Sequence, residues 1–173
     1  MNWGEPLLHP NIVEMIRYAD ERDIETHLTT NGTLLSDEMI NKLLKSGLQR
    51  IAFSMDGMND TYNRIRGFDY EKLEENILKL LDTKFQLGTN IQVELSVTIF
   101  EETEKDLHNL TEKWENKVDF IKIRPMEIVA GYERTSKCRE LWRSGVVQSN
   151  GKVIPCTVDY EGLLTIGDAS EER

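Results

Sequence analysis

Apolar residues in the first two thirds of the chain recur alternately at helical and at extended spacing. Apolar stripes with helical spacing begin near Pro10, Ser36, Tyr70 and Leu107. Stretches with the alternation or the β-branched content of strands cover 24–30, 50–55, 91–99 and 118–124. Because a period of 3.6 predicts helices and a period of 2 predicts strands, the pattern predicts a repeated helix and strand, with a loop over 56–67.

A repeated helix and strand is typical of an α/β protein whose parallel strands form an open sheet or a closed barrel, with right-handed crossovers. After Pro125 the pattern changes to short extended pieces around Asn150-Gly151 and Glu161-Gly162, which are turn signals. We therefore predict two domains, a βα domain over 1–129 and a small hairpin-rich appendage over 130–173.

Composition narrows the class of protein. The chain has 173 residues, of which 39% are hydrophobic and 30% charged, as expected for a globular protein with a real core. Its formal charge of −10 disfavours a nucleic acid partner, which would need clustered Lys and Arg. The sequence has no apolar run long enough for a membrane span and no export signal, so we expect a cytoplasmic protein without a membrane partner.

Candidate chemistry follows the predicted strands. Ligands bind at the carboxyl ends of parallel strands, where Ser54 and Asp56 lie, and Arg66 follows in the next loop. A serine hydroxyl with a guanidinium is a good receptor for a carboxylate, although Asp56-Gly57 is also typical of a plain turn and Arg66 of a solvated surface charge. Gly4-Glu5-Pro6 would hold the same place after a strand that begins before Met1, so we expect the chain to start in mid-fold.

The sequence holds two cysteines, Cys138 and Cys156. The turn signal at Asn150-Gly151 predicts an antiparallel hairpin between them, and this could bring both thiols to one point. Thiolates placed in this way suit zinc or an iron–sulfur cluster, but two thiols are half of the usual set of four. The cysteines are therefore either metal ligands or inert thiols.

These segments together resemble those of one family, the radical S-adenosylmethionine (SAM) enzymes with a SPASM or twitch extension. GEPLLHP resembles the glycine-glycine-glutamate-proline motif, with Trp3 in place of the first glycine. TTNGTLL resembles the third strand and turn, and FSMDG followed by YNRIRG resembles the SxDG strand end and its arginine. CX12GX4C and LLTIGD resemble the opening of the extension, so five ordered motifs span residues 3–168.

The resemblance implies a partial (β/α) TIM-like barrel without its first strand, and it implies roles for individual residues. Gly4, Glu5 and Pro6 would hold the amino group of SAM, Ser54 and Arg66 its carboxylate, and Asp56 the ribose pocket, with 123–125 beside the adenine. Cys138 and Cys156 would be two ligands of an auxiliary [4Fe–4S] cluster.

The family reaction cleaves SAM to a 5′-deoxyadenosyl radical, which abstracts a hydrogen atom, commonly from a peptide or protein side chain. That reaction needs a [4Fe–4S] cluster held by a CX3CX2C loop, and this sequence has no cysteine before Cys138. We therefore expect a fragment of a radical SAM enzyme that is inactive alone and binds SAM very weakly.

Two other readings remain open. The chain could instead be a non-catalytic βα scaffold that binds a partner, or the two cysteines could hold zinc or a cluster between two chains. An incomplete barrel also leaves an unpaired strand edge, so we expect self-association through that edge.

Overall fold

The computed structural model describes residues 4–125, 142–157, 159 and 161–171. They fall into two compact units, one from Glu5 to the end of the parallel sheet and one that holds Gly4 and the described residues from 142 onward. The α-helices are α1 (Ile12–Asp20), α2 (Asp37–Leu44), α3 (Asn59–Arg66), α4 (Tyr70–Leu87) and α5 (Leu107–Trp114). The strands are β1 (His27–Thr30), β2 (Arg50–Ser54), β3 (Gln92–Ile99), β4 (Phe120–Pro125), β5 (Val146–Val147), β6 (Lys152–Ile154) and β7 (Gly167–Asp168). Short 3-10 helices cover Pro6–Leu8 and Glu104–Asp106.

In the first unit, four strands form a parallel sheet in the order β1-β2-β3-β4. Strands that follow one another in the chain are therefore neighbours in the sheet, and helices connect each one to the next. This confirms the predicted α/β class, and the arrangement is that of part of a (β/α) barrel. Since all four strands run in the same direction, their carboxyl ends lie at one edge of the sheet.

The core forms between the sheet and the apolar faces of the helices. The predicted stripe of α4 is buried at Leu73, Ile77 and Leu80, and Leu110 and Trp114 of α5 are also fully buried. Burying a side chain of this size contributes about 1.5–3 kcal/mol. Helix α2 begins as predicted, since the Ser36 hydroxyl accepts a hydrogen bond from the Met39 N–H at 3.2 Å.

Burial along β3 differs from the alternation that the sequence suggested. Residues 93–97 are all buried, including Glu94 and Ser96, because both faces of this central strand are covered. The Glu94 carboxylate is compensated by Arg50, whose Nη1 lies 3.4 Å from Oε2. The polar positions in the alternation thus mark a second, polar interior face and not a solvent face.

Two predicted elements have different bounds. The strand predicted over 24–30 starts only at His27, and Ile24 is exposed. The predicted loop over 56–67 contains α3, which buries Thr61 and Tyr62 and is followed by Gly67, where φ is +64°. Apart from Tyr62 and Ile65 the residues of this helix are polar, so it lacks the broad apolar stripe on which the helix prediction depends.

The second unit has an antiparallel sheet in the order β5-β6-β7. The turn predicted at Asn150-Gly151 connects β5 to β6; Gly151 has φ of +86° and its N–H donates to the Gln148 carbonyl at 2.9 Å. The second turn signal also forms a turn, with Gly162 at φ of +68°. The described residues of the appendage are therefore hairpin-rich, as predicted.

None of the described helices has the length and apolar character that crossing a membrane requires.

Candidate functional site

The candidate site lies at the carboxyl edge of the parallel sheet, where β1, β2 and β3 end side by side. Asn31 follows β1, Ser54 is the last residue of β2, and Thr98 lies near the end of β3. Neighbouring strands are about 4.8 Å apart, so the ends of β1 and β3 are about 10 Å from one another. This width suits a ligand with polar groups at both ends.

Glu5 is held against the end of β1 by its carboxylate. Oε1 accepts hydrogen bonds from the Thr30 hydroxyl at 2.7 Å and from the Leu7 N–H at 3.1 Å, and Oε2 accepts from the Asn31 N–H at 2.8 Å. A carboxylate has about four acceptor positions, and these bonds occupy three of them. Glu5 therefore keeps about one acceptor position, on Oε2, for a further donor.

The turn after β1 is held tightly by its neighbours. Gly32 is buried with φ of +74°, and a Cβ atom there would lie 2.4 Å from Leu73 Cδ1. The Gly32 N–H donates to the Thr30 hydroxyl at 3.0 Å, and its carbonyl accepts from Asn76 Nδ2 at 2.9 Å. Glycine is required here both by the conformation and by the close approach of α4, so the Glu5 partners are rigidly placed.

Asp56 and Arg66 form an ion pair at the end of β3. Asp56 Oδ2 contacts Arg66 Nη2, and Oδ1 accepts a hydrogen bond from the Thr98 N–H at 2.7 Å. The Asp56 side chain is 4% exposed and that of Arg66 is 33% exposed. Asp56 is therefore an internal group that orients Arg66, while Arg66 still presents other N–H donors outward.

A second carboxylate fixes the loop that carries this pair. Asp106 Oδ2 accepts a hydrogen bond from the Met58 N–H at 3.1 Å, just before α3 begins. The start of α3 is therefore joined to the segment that follows β3.

Tyr62 lies one helical turn before Arg66 and is fully buried. Among the described residues its hydroxyl has no hydrogen-bond partner, which is uncommon for a buried polar group. Burial raises the pKa of Tyr62 to about 12, with opposing smaller effects from Arg66, which lowers it, and Asp56, which raises it. The hydroxyl is therefore protonated at neutral pH and available as a donor.

The remaining residues predicted for the site are less closely connected to it. Ser54 is half-buried at the end of β2, opposite Ser96 of β3. Gly4 has φ of +124° and precedes Glu5, and Pro6 is the first residue of a 3-10 helix. The strand end over 123–125 is exposed.

The geometry does not test the predicted metal ligands. Cys156 is half-buried and lies two residues after the end of β6, while Cys138 lies outside the described residues. Within the part of the chain that the structure describes, no three His, Cys, Asp or Glu side chains converge as a metal site.

Two open cavities lie among the described residues but are not lined by Glu5, Ser54, Asp56 or Arg66. One, of about 590 Å³, is lined by the residues that begin the strands, including His27, Arg50 and Gln92. The other, of about 700 Å³, lies between Ser36 at the start of α2 and Lys79 of α4. The first is at the amino edge of the sheet, opposite the predicted residues.

Sequence reasoning did not select Thr30 and Tyr62. Thr30 immediately precedes Asn31 and lies on the same buried face of β1 as Leu28. No pattern in the sequence alone predicts its contact with Glu5. Tyr62 and Arg66 are four residues apart, and this spacing places them on one face as soon as the segment is taken as a helix.

The fold and the strand-end residues define a parallel βα protein with a polar site at the carboxyl edge of its sheet. The sequence profile of the Radical SAM superfamily matches residues 3–114. The chain therefore belongs to the radical SAM superfamily, whose members use SAM and [4Fe–4S] clusters.

Individual relatives cover different shares of the chain. The AdoMet-dependent heme synthase of Methanosarcina barkeri is 35% identical over 96 residues, which are 53% of this chain and 28% of that protein. The GTP 3′,8-cyclase of Clostridium botulinum is 30% identical over 182 aligned positions, covering 98% of this chain and 53% of that protein. The chain thus spans about half or less of the length of these relatives.

Among solved structures, that of Streptococcus suis SuiB bound to S-adenosylmethionine aligns with a TM-score of 0.73 at 16% identity, over 98% of this chain and 51% of that one. At this identity the likeness concerns the fold.

Proposed function

We propose that this chain forms the SAM-binding edge of a radical SAM enzyme whose cluster-binding cysteines lie outside these residues. The observation that carries the proposal is the placement of Glu5 and of the Asp56–Arg66 pair at opposite sides of one strand edge, within a chain of this superfamily. The carboxylate would face the amino group of SAM, and the guanidinium would face its carboxylate.

The described side chains fit the amino acid end of SAM. Glu5 retains about one acceptor position for an ammonium N–H, since three of about four are occupied. Arg66 has five N–H donors, and Asp56 engages it through Nη2, so donors remain for a carboxylate. Ser54 ends the strand between them and would add a hydroxyl donor.

A SAM-cleaving cluster does not fit the residues of this chain. Three thiolates are needed, whereas the sequence has two cysteines, both after residue 137. We therefore derive no step through a cluster here, and we assign to these residues only the binding of SAM.

The contribution of the chain to the reaction is then positional. SAM supplies the 5′-deoxyadenosyl group that abstracts hydrogen once it is cleaved in the complete enzyme. Glu5 would hold the amino group, Arg66 and Ser54 would hold the carboxylate, and the buried Asp56 would keep Arg66 oriented. Without iron to chelate the same amino and carboxylate groups, these contacts bind SAM only weakly.

The appendage and the substrate belong to the same proposal. We assign Cys138 and Cys156 to an auxiliary cluster of a SPASM or twitch extension, and a peptide or protein side chain as the substrate. The support is the spacing of the cysteines around Gly151 and the SuiB structure bound to its precursor peptide SuiA.

A non-catalytic scaffold is the competing function. It is favoured by the bonds that these side chains already make without any ligand. Glu5 accepts hydrogen bonds from backbone N–H groups, and Arg66 forms an ion pair with Asp56. Such a scaffold would not bind SAM at this edge, so a binding measurement separates the two functions.

Isothermal titration of the chain with SAM tests the proposal. We expect a dissociation constant of about 1 mM or weaker, raised about tenfold or more by Arg66→Met, which loses a charged hydrogen bond. Arg22→Met is the matched control, because Arg22 stacks on Tyr18 of α1 and precedes the amino end of β1. Binding that Arg66→Met leaves unchanged would refute the proposal, and micromolar binding would contradict the predicted weakness.

A further inference from the structure

The two faces of the parallel sheet differ in their chemistry. Along a strand, successive side chains point to opposite faces, and residues that pair across neighbouring strands share a face. One face carries apolar residues such as Phe53, Val93 and Leu95, which pack with the helices in the hydrophobic core. The opposite face, which we call the polar face, carries the alternate residues from Arg50 to Ser54 on β2, from Gln92 to Thr98 on β3 and from Phe120 to Arg124 on β4.

The polar face is positively charged although the chain is acidic. On β2, β3 and β4 it includes three cations, Arg50, Lys122 and Arg124, and one carboxylate, Glu94. Three positive charges and one negative charge leave +2 on these strands, whereas the whole chain has a formal charge of −10. Arg50 already lies against Glu94, with Nη1 3.4 Å from Oε2. The excess positive charge is therefore that of Lys122 and Arg124.

Lys122 and Arg124 are placed to act on one ligand group. Both residues are exposed, and none of the ion pairs found within the described part of the chain involves either of them. Because they are two residues apart on one strand, their Cα atoms are about 6.6 Å apart and their side chains leave the same face. Both side chains are long enough to contact one anionic group between them.

The two cations lie at the same edge of the sheet as Arg66. Arg124 pairs with Thr98 across β3 and β4. The Thr98 N–H donates to Asp56 at 2.7 Å, and Asp56 is the ion-pair partner of Arg66. Arg124 therefore lies on the strand next to the one that contacts the Asp56–Arg66 pair.

The cations are also separate from the residues proposed to hold the carboxylate of SAM. Lys122 pairs with Ser96 of β3, and Ser96 pairs with Ser54 of β2. Since neighbouring strands are about 4.8 Å apart, the backbones of Lys122 and Ser54 are about 10 Å apart. This separation leaves room for a second ligand group beside SAM.

We infer that Lys122 and Arg124 form a subsite for an oxyanion of the substrate, either a phosphate or a carboxylate. The inference rests on the proposed function, because that function makes this strand edge the place where substrate lies beside SAM. A guanidinium binds either anion through two parallel hydrogen bonds, and an ammonium group adds a point charge. For the peptide substrate proposed above, the group would be the carboxylate of an acidic side chain.

Titration of the ¹⁵N-labelled chain with simple anions tests the subsite. Tripolyphosphate is the probe for a phosphate and glutarate the probe for a carboxylate, and each is added up to about 10 mM. We expect at least one of them to shift the amides at 96–98 and 122–124, and the probe that binds more tightly identifies the anion. Replacing both cations, by Lys122→Met with Arg124→Met, should weaken this binding at least about tenfold, since charged hydrogen bonds are lost.

A charge-matched pair of substitutions is the control. Arg17→Met with Lys45→Met also removes one Arg and one Lys, from exposed positions on α1 and just after α2. We expect it to change the affinity for the anion less than about twofold, because distant surface charges are screened by salt. If neither probe shifts the amides at 122–124, or if the two double variants weaken binding equally, the inference is overturned. If the methionine variants do not fold, Lys122→Gln with Arg124→Gln removes the same charges with polar side chains.

Titration with SAM separates this inference from the proposed function. We expect the Lys122 and Arg124 double variant to bind SAM within about twofold of the natural chain, whereas Arg66→Met weakens SAM binding. Equal weakening by both would assign the two cations to the SAM site and overturn the inference. If the chain binds an anion at 122–124 but does not bind SAM, the proposed function fails and the anion site stands.

Discussion

Replacing Glu5 by alanine is the most informative perturbation of the candidate site. The substitution removes the acceptor of three hydrogen bonds, those from the Thr30 hydroxyl, the Asn31 N–H and the Leu7 N–H. These bonds join the segment before α1 to the end of β1. Their loss frees that segment and leaves the buried Thr30 hydroxyl with fewer partners.

The size of the effect follows from the number of bonds and from their partial exposure. A hydrogen bond to a charged group contributes about 1.5–3 kcal/mol, but water can replace part of this at the half-buried Glu5. We therefore expect Glu5→Ala to lower the free energy of unfolding by about 2–4 kcal/mol. For a chain of this length, that corresponds to a fall in melting temperature of about 4–16 °C.

Thermal unfolding followed by circular dichroism measures this change. Glu112→Ala is the matched control, because Glu112 is exposed on α5, and we expect its effect to stay within about 0.5 kcal/mol. Glu5→Gln should fall between the two, since the amide keeps one acceptor oxygen but turns a donor toward the other N–H groups. A Glu5→Ala chain as stable as Glu112→Ala would refute the placement of Glu5 on β1.

Further predictions concern the turn at Gly32, the stability of the chain at low pH and its capacity to bind iron. Gly32→Ala should lower the free energy of unfolding in urea by at least about 2 kcal/mol, because a Cβ atom there meets Leu73. Gly67 has a similar φ but open space around it, so Gly67→Ala should lower it by about 1 kcal/mol. Equal losses of stability would contradict the close packing at Gly32. Burial raises the pKa of Asp119, but hydrogen bonds from a β3 N–H and from Lys84 outweigh this effect, and the pKa is lowered. The stability of the folded chain should therefore fall as the pH drops below about 4. Asp119→Asn should make this fall less steep in an acid titration. Anaerobic reconstitution with iron and sulfide should leave the chain well short of about 4 iron atoms, and a full cluster per monomer would show that other ligands complete the set.

Much of the parallel framework could be predicted from the sequence because its helices carry regular apolar stripes. In α4, Leu73, Ile77 and Leu80 are both the predicted and the observed buried positions. The hairpin at Asn150-Gly151 was likewise predictable, because a glycine with positive φ is needed at a tight turn. Local sequence patterns of this kind predict the structure correctly where the tertiary contacts favour the same conformation.

The candidate site was less predictable, because its contacts join residues that are distant in sequence. The polar pattern around Arg66 predicts a loop, yet Arg66 ends a helix whose large hydrophobic residues are Tyr62 and Ile65. The sequence leaves open whether Arg66 binds a ligand carboxylate or is a solvated surface charge, whereas in the chain it pairs with Asp56. Neither the pairing nor the unsatisfied Tyr62 hydroxyl has a spacing rule that would reveal it.

The motif at Glu5 illustrates the same limit. The resemblance suggested a role for Gly4-Glu5-Pro6 in holding SAM, but it did not suggest that Glu5 also fixes the end of β1 through Thr30 and Asn31. A residue with both roles makes activity measurements alone ambiguous, and binding therefore has to be mapped on a folded chain.

Chemical-shift mapping of SAM on the ¹⁵N-labelled chain tests the central claim most directly. At SAM concentrations of up to about 10 mM, we expect the shifted amides to cluster at 31–32, 54–57 and 98, the carboxyl ends of β1, β2 and β3. Shifts confined to 89–92, which line the cavity at the amino edge of the sheet, or no shift at all, would contradict it.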